Sequence, residues 1–212
     1  MHNHRHSIFC ILPPHMLKEI AVKGTVAQKR MAQDTILAST QLRAGRMTAA
    51  EFGAVLDMFP KAAGTAKERK VYDAKNGTSL PGTLARGEGD SPSTDVAVNE
   101  AYDGSGVTWD LFHDVYGRNS IDNNGMLLSS TVHYRTGYDN AFWDGKQMVY
   151  GDGDENLPPE DRLFNRFTIA IDIIGHELTH GVTQFEAKLV YSYQPGALNE
   201  STKEIEEDRY AT

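Results

Sequence analysis

Residues 167–187, FTIAIDIIGHELTHGVTQFEA, set two histidines and a glutamate into an otherwise apolar helical stretch, so the fold must bury one side of it. Ile171, Ile173, Ile174 and Leu178 give this segment the spacing of a core helix, with Thr168 its expected N-cap. His176 and His180 are four apart, so they leave one face a turn apart, with Glu177 beside them. Groups of this kind in a buried helix need partners. Two readings compete: histidines satisfied by ordinary hydrogen bonds, or histidines that share one metal ion. Zinc takes nitrogen, sulfur and carboxylate ligands in a tetrahedral shell, and hydrolytic sites keep one position for water. Two histidines leave that shell one protein ligand short. Glu200 in GALNES, 20 residues after His180, can complete it, because the turn in YSYQPGALNE lets the chain fold back. Zinc so held lowers the pKa of its water to about 7, and Glu177 is placed to take the proton. The third ligand favours the zinc reading.

The chain has 212 residues, enough for one sizeable domain with a smaller appendage. Its net charge of −8 argues against a nucleic-acid surface. Residues 1–50 hold seven Lys/Arg against two Asp/Glu, a net of +5; the remaining 14 Lys/Arg and 27 Asp/Glu give residues 51–212 a net of −13. A basic arm on an acidic body suggests docking of one on the other, and two unrelated solvated surfaces is the competing account. No run reaches the roughly 20 apolar residues of a membrane span. The start, MHNHRHSIFCILPPHMLKEIA, is a poor signal peptide because two prolines interrupt a short apolar patch. The expected location is therefore cytoplasmic, or secreted without an ordinary signal peptide. Cys10 is the single cysteine, so no internal disulfide is expected.

After Pro13-Pro14 the leader has helical spacing, with Leu17, Ile20 and Ala21 on one face and Met31, Ile36 and Leu37 on another. Gly24 is expected to separate two short helices. Residues 43–70 mix Gly, Ala, Lys and Arg around a single helical turn and read as a linker. From Val71 the texture is β-rich, with Asn76-Gly77 as a hairpin turn signal. A helix is expected through Val98, Ala101, Trp109, Phe112 and Val115, weakened at Gly104 and Gly106. MLLSSTVHYRTGYDNAFWDGKQMVYGDGD reads as a strand, a turn and a hairpin around Asp144-Gly145.

IDIIGHELTHGVTQ, GALNES, VHYRTGYDNAFW and DNAFWDGKQMVYGDGD, in this order-bearing combination from about residue 71 to Ser201, resemble the catalytic lobe of thermolysin-like zinc metalloproteases. SIFCILPPHMLKEIA is similar to the short propeptide of protealysin-type precursors, a branch of that group. The resemblance implies an α+β fold: a small helical propeptide (1–50), a linker (51–70), a β-rich catalytic lobe with a long zinc-bearing helix (71–201) and a charged tail (202–212). It implies His176, His180 and Glu200 as zinc ligands, Glu177 as general base, and Tyr191 as donor to the oxyanion. It implies that Asn140 and Ala141 hold the substrate backbone as an added strand, and that Asp172 is a candidate calcium ligand. The implied activity is zinc-dependent endoproteolysis of peptide or protein substrates, with the propeptide as intramolecular inhibitor.

After GALNES the family continues into a second, helical domain, whereas here TKEIEEDRYAT follows and ends. Feeble or absent hydrolysis by the chain as written is therefore expected. A non-catalytic zinc-binding or regulatory remnant is the alternative. Without the second domain, apolar surface around Ile173, Ile174 and Leu178 is expected to be uncovered. Cys10, in the basic leader, is a candidate inhibitory contact to the zinc.

Overall fold

The computed structural model describes residues 11–51, 64 and 66–187, with the side chains of 43–51 outside that description. Two leader helices come first, α1 (Pro14–Lys23) and α2 (Val26–Glu51). Strands β1 (Arg69–Asp73) and β2 (Thr83–Gly87) precede α3 (Val96–Tyr116). Then come β3 (Leu128–Val132), β4 (Ala141–Trp143), β5 (Met148–Tyr150) and α4 (Ile171–Ala187), which follows a 3-10 turn at Phe167–Ile169. The fold is α+β, as expected.

The five strands form one mixed sheet in the order β2-β1-β3-β5-β4. β1 runs parallel to β3, with Val71 opposite Ser130, and β3 runs parallel to β5. The outer pairs β1–β2 and β4–β5 are antiparallel. Asp144 shapes the β4–β5 turn, its carboxylate accepting from the amides of Lys146 and Gln147 at 2.7 and 2.8 Å. The Asn76-Gly77 signal also makes a tight turn, with Lys75 and Asn76 both left-handed (φ 51° and 58°). That turn docks on the stretch after β3, through Asn76 N to His133 O, and a longer loop then leads to β2.

α3 is continuous through the two glycines that weakened its sequence signal. A Cβ at Gly104 would strike Ile174 Cδ1 of α4, and one at Gly106 would strike the Arg69 guanidinium. The glycines are notches that let a neighbour sit against the helix, and this outweighs their low helix propensity. Asp95 caps the helix, accepting from Ala97 N at 2.9 Å, and left-handed Gly117 ends it.

Ionic ties join the loops to this frame. His133 lies between two carboxylates: Nδ1 is 2.9 Å from Asp152 and Nε2 is 2.8 Å from Asp95. Its hydrogen bond and charge contact with Asp152 outweigh burial, and with Asp95 they raise the imidazole pKa from 6.5 to about 9. Arg166 reaches Glu100 of α3 and Glu155. Thr168 is not the N-cap of α4. It lies in the 3-10 turn, and its hydroxyl donates to Glu100 at 2.7 Å.

The leader packs on the body. Leu12, Leu17 and Ala32 are buried in the core that includes Val71, Trp109, Trp143, Ile174 and Leu178. Ala38 joins a second cluster with Tyr134, Tyr138, Phe142 and Val149. Of Met31, Ile36 and Leu37, grouped by their spacing, Leu37 is exposed while Ile36 packs against the core; Ala32, Thr35, Ala38 and Ser39 are fully buried. α2 also runs through residues 43–51, which the sequence had suggested were linker. The described links from leader to body are apolar packing and neutral hydrogen bonds, such as Gln28 Nε2 to Asp161 O at 2.9 Å. The described ion pairs of the leader, Lys23–Glu19 and Arg30–Asp34, are internal to its helices.

Candidate metal centre

α4 carries its functional side chains inward. His176, Glu177 and His180 are 8%, 0% and 2% exposed, and one ligand atom from each falls within 4.8 Å of the others. The imidazole rings stand nearly edge to face, centroids 4.9 Å apart, and His180 Nε2 lies 3.9 Å from Glu177 Oε2. Helical spacing alone produces this convergence. The expectation of an uncovered apolar face is corrected: Ile174 and Leu178 are each 1% exposed within the main core cluster, Ile174 against Gly104 of α3, and Ile173 is half-buried.

Glu177 is held in place from the sheet. The backbone amide of Trp143 in β4 donates to Glu177 Oε2 at 2.9 Å. Gly181 makes room for the Trp143 ring, whose atoms would lie 3.2 Å from a Cβ there. Trp143 Nε1 donates to Gln184 Oε1 at 3.0 Å, and Gln184 Nε2 reaches Gly145 O at 3.3 Å. Gln184 thus pins the β4–β5 hairpin to α4. Sequence reasoning missed it, although its place four residues after His180 on the same helix face was a usable signal. Tyr150 of β5 is fully buried, and burial, then the Glu177 charge, push its phenol pKa upward.

Asn140 and Ala141, both 0% exposed, lead into β4 beside this trio. Asn140 grips the leader: its Oδ1 accepts from Leu12 N at 3.1 Å, and its Nδ2 donates to Leu12 O at 3.4 Å. The same Oδ1 accepts from Ala141 N at 3.0 Å. The Asn140 side-chain amide thus pairs with both backbone polar groups of Leu12. Asp172 is exposed in the first turn of α4. Cys10, Tyr191 and Glu200 lie outside the described residues.

Two buried imidazoles that converge beside a carboxylate suit a borderline metal such as zinc. Acidic oxygens alone would suit calcium or magnesium better.

Residues 54–184 match the family model for the thermolysin metallopeptidase catalytic domain. An extracellular metalloprotease of Pectobacterium carotovorum is 44% identical over 198 residues, 93% of this chain and 54% of the relative. A thermolysin of Alicyclobacillus acidocaldarius is 46% identical over 138 residues, 64% of this chain and 24% of the relative. Among solved structures, the precursor of protealysin, a metalloproteinase from Serratia proteamaculans, superimposes with a TM-score of 0.75 at 43% identity, covering 93% of this chain and 53% of that one. The chain thus spans about half the length of the first of these relatives, and less of the thermolysin.

Proposed function

This chain belongs to the thermolysin metallopeptidase family, and on that premise we propose that it carries the zinc-binding catalytic lobe of an endopeptidase, held latent by its own leader. The observation that carries the reading is the buried His176–Glu177–His180 trio, with Glu177 anchored by the Trp143 amide.

In this reading His176 and His180 hold the ion, and Glu200 supplies the third protein ligand. Zinc bound there would supply Lewis-acid activation of water and of a peptide carbonyl. Glu177 accepts the proton of the attacking water and delivers it to the leaving amine nitrogen as the C–N bond breaks. The Trp143 hydrogen bond fixes one carboxylate oxygen, so the proton moves to and from a set position. Tyr191 donates to the oxyanion as charge develops there. Asn140 and Ala141 hold the substrate backbone as an added strand, and Leu12 of the leader occupies the Asn140 amide in its place. That pairing supports the leader as an intramolecular inhibitor, with Cys10, two residues before Leu12, as a thiolate contact to the metal. Asp172 is assigned to calcium, a cation that takes oxygen ligands. Among the described residues no helix is long and apolar enough to cross a membrane.

The test is metal analysis of the full chain after dialysis, comparing the parent with His180→Ala and Glu177→Ala. One zinc per chain is expected in the parent, severe loss in His180→Ala and full retention in Glu177→Ala. Equal stoichiometric zinc in the parent and His180→Ala overturns the site. Zinc retained with no peptide cleavage, even after removal of the leader, would favour a non-catalytic zinc-binding module.

A further inference from the structure

Away from the metal centre, two carboxylic acids are buried together where the leader meets the body. Asp139 is 3% exposed and Asp154 is 1% exposed. Asp154 Oδ2 is satisfied by the amides of Leu163 and Phe164, at 2.8 and 3.2 Å. The Oδ1 atoms of both residues are sealed from solvent, and among the described residues no donor reaches either one. Acceptors left this way in a protein interior cost free energy unless a hydrogen lies between them. Asp154 is the charged neighbour of Asp139, and neither an arginine, a lysine nor a histidine acts on Asp139 among the described residues. We propose that Asp139 and Asp154 share one proton, and that this proton helps hold helix α2 of the leader on the body.

The position of the pair links the proton to the leader. Asp139 N donates to Thr35 Oγ1 of α2 at 3.0 Å. The neighbouring Tyr138 hydroxyl meets Ser39 Oγ of α2 at 3.1 Å. A Cβ on Gly137 would lie 2.9 Å from Met31 Cε of the same helix. Residues 137–139 therefore form a continuous docking strip for α2, with the Asp139 amide turned to the leader. Around the pair, α2 contributes neutral Thr35 and Ser39, and the 137–141 stretch neutral Tyr138 and Asn140. The 151–164 loop contributes Asp154, the charged group that faces Asp139.

Burial first, and the Asp154 charge second, push the Asp139 carboxyl up to about 8. Two adjacent carboxylates cannot both ionise cheaply without water or a cation. When the leader departs, the strip gains access to solvent and the proton is held less tightly. The docked state therefore binds the extra proton, and docking is strongest at acidic pH. It weakens as pH rises from the ordinary carboxylate range through about 8, and is flat above that. Each unit by which the docked and undocked pKa values differ changes the docking equilibrium about tenfold.

This proposal does not rest on the peptidase reading, and its test uses the full chain without metal or substrate. Side-chain carboxyl resonances of carbon-13-labelled aspartate are followed from pH 3 to 10, and hydrogen exchange of the α2 amides is followed at each pH. One carboxyl is expected to titrate near pH 8 in the parent, with exchange protection of α2, corrected for intrinsic rate, falling toward that pH. In Asp139→Asn a permanent amide donor faces Asp154, so the high-pH titration should vanish and the α2 profile should flatten. Asp154→Asn should flatten it as well. The shared proton is refuted if every aspartate in the parent titrates below pH 5. It is also refuted if added calcium at pH 7 shifts both resonances, which would make the pair a cation site. An α2 profile that keeps the same slope in a folded Asp139→Asn chain breaks the link to the leader.

Discussion

Replacing His133 tests whether its clamp holds the loops to α3 by charge. Protonated, its ring donates to Asp152 and to Asp95, and Asp95 is also the cap of α3. The imidazole pKa rises from 6.5 to about 9 on folding, so the folded chain holds a proton that the unfolded chain releases. The stabilisation is complete below pH 6.5, declines as pH rises through about 9 and is constant above that. A shift of this size at about 1.4 kcal/mol per unit corresponds to roughly 3 kcal/mol, to order of magnitude. Such a change is a large share of the roughly 5–15 kcal/mol by which domains are stable. His133→Asn suits the left-handed backbone there (φ 54°) but cannot carry the charge. Urea unfolding of the parent and variant at pH 6 and pH 9.5 reads the effect. The parent should lose roughly 3 kcal/mol more than the variant between the two pH values. The difference isolates His133 from the Asp139–Asp154 pair, which is present in both chains. Equal losses in the two chains would refute a charged His133 clamp.

Two further outcomes follow from close contacts. Gly104→Val drives a branched side chain into Ile174 and should cost about 1–3 kcal/mol by thermal unfolding; an unchanged or raised Tm would deny the close approach of α3 and α4. Asn140→Ala removes both hydrogen bonds to Leu12, each worth about 1 kcal/mol net, so exchange of the Leu12 amide should quicken about 5- to 30-fold. An unchanged rate there would show that Asn140 does not hold the leader.

The His176–Glu177–His180 trio was legible because it is local. Residues 176, 177 and 180 of one helix must share a face, whatever surrounds them. The Asp144-Gly145 hairpin was legible for the same reason, since two short β-prone runs flank a turn dipeptide. The far end of α2 was hidden by Gly45 and by scarce apolar residues in QLRAGRMTAAE, although Ala, Arg, Gln and Met are good helix formers. Thr168 had the side chain of a cap, but Glu100, 68 residues earlier, claims its hydroxyl. The His133 clamp, the Asp139–Asp154 pair and the Trp143 amide on Glu177 join residues distant in the chain. No periodicity records such meetings. The leader docks on the body, as its basic charge beside an acidic body suggests, but the described contacts are apolar packing and neutral hydrogen bonds rather than ion pairs.

Among the described residues the sheet ends on β4, which is three residues long. An open edge can recruit strands without discrimination, and long flat edges zip identical chains into aggregates. Here two of the few amides along the edge are already engaged: that of Trp143 by Glu177 and that of Ala141 by Asn140. An incoming chain finds too few free donors to extend a ladder in register, and the hairpin is tied to α4 through Gln184. The edge is too short to template a growing sheet. With Ala141, Phe142 and Trp143 buried as well, its shortness leaves an identical chain no long flat edge on which to pair.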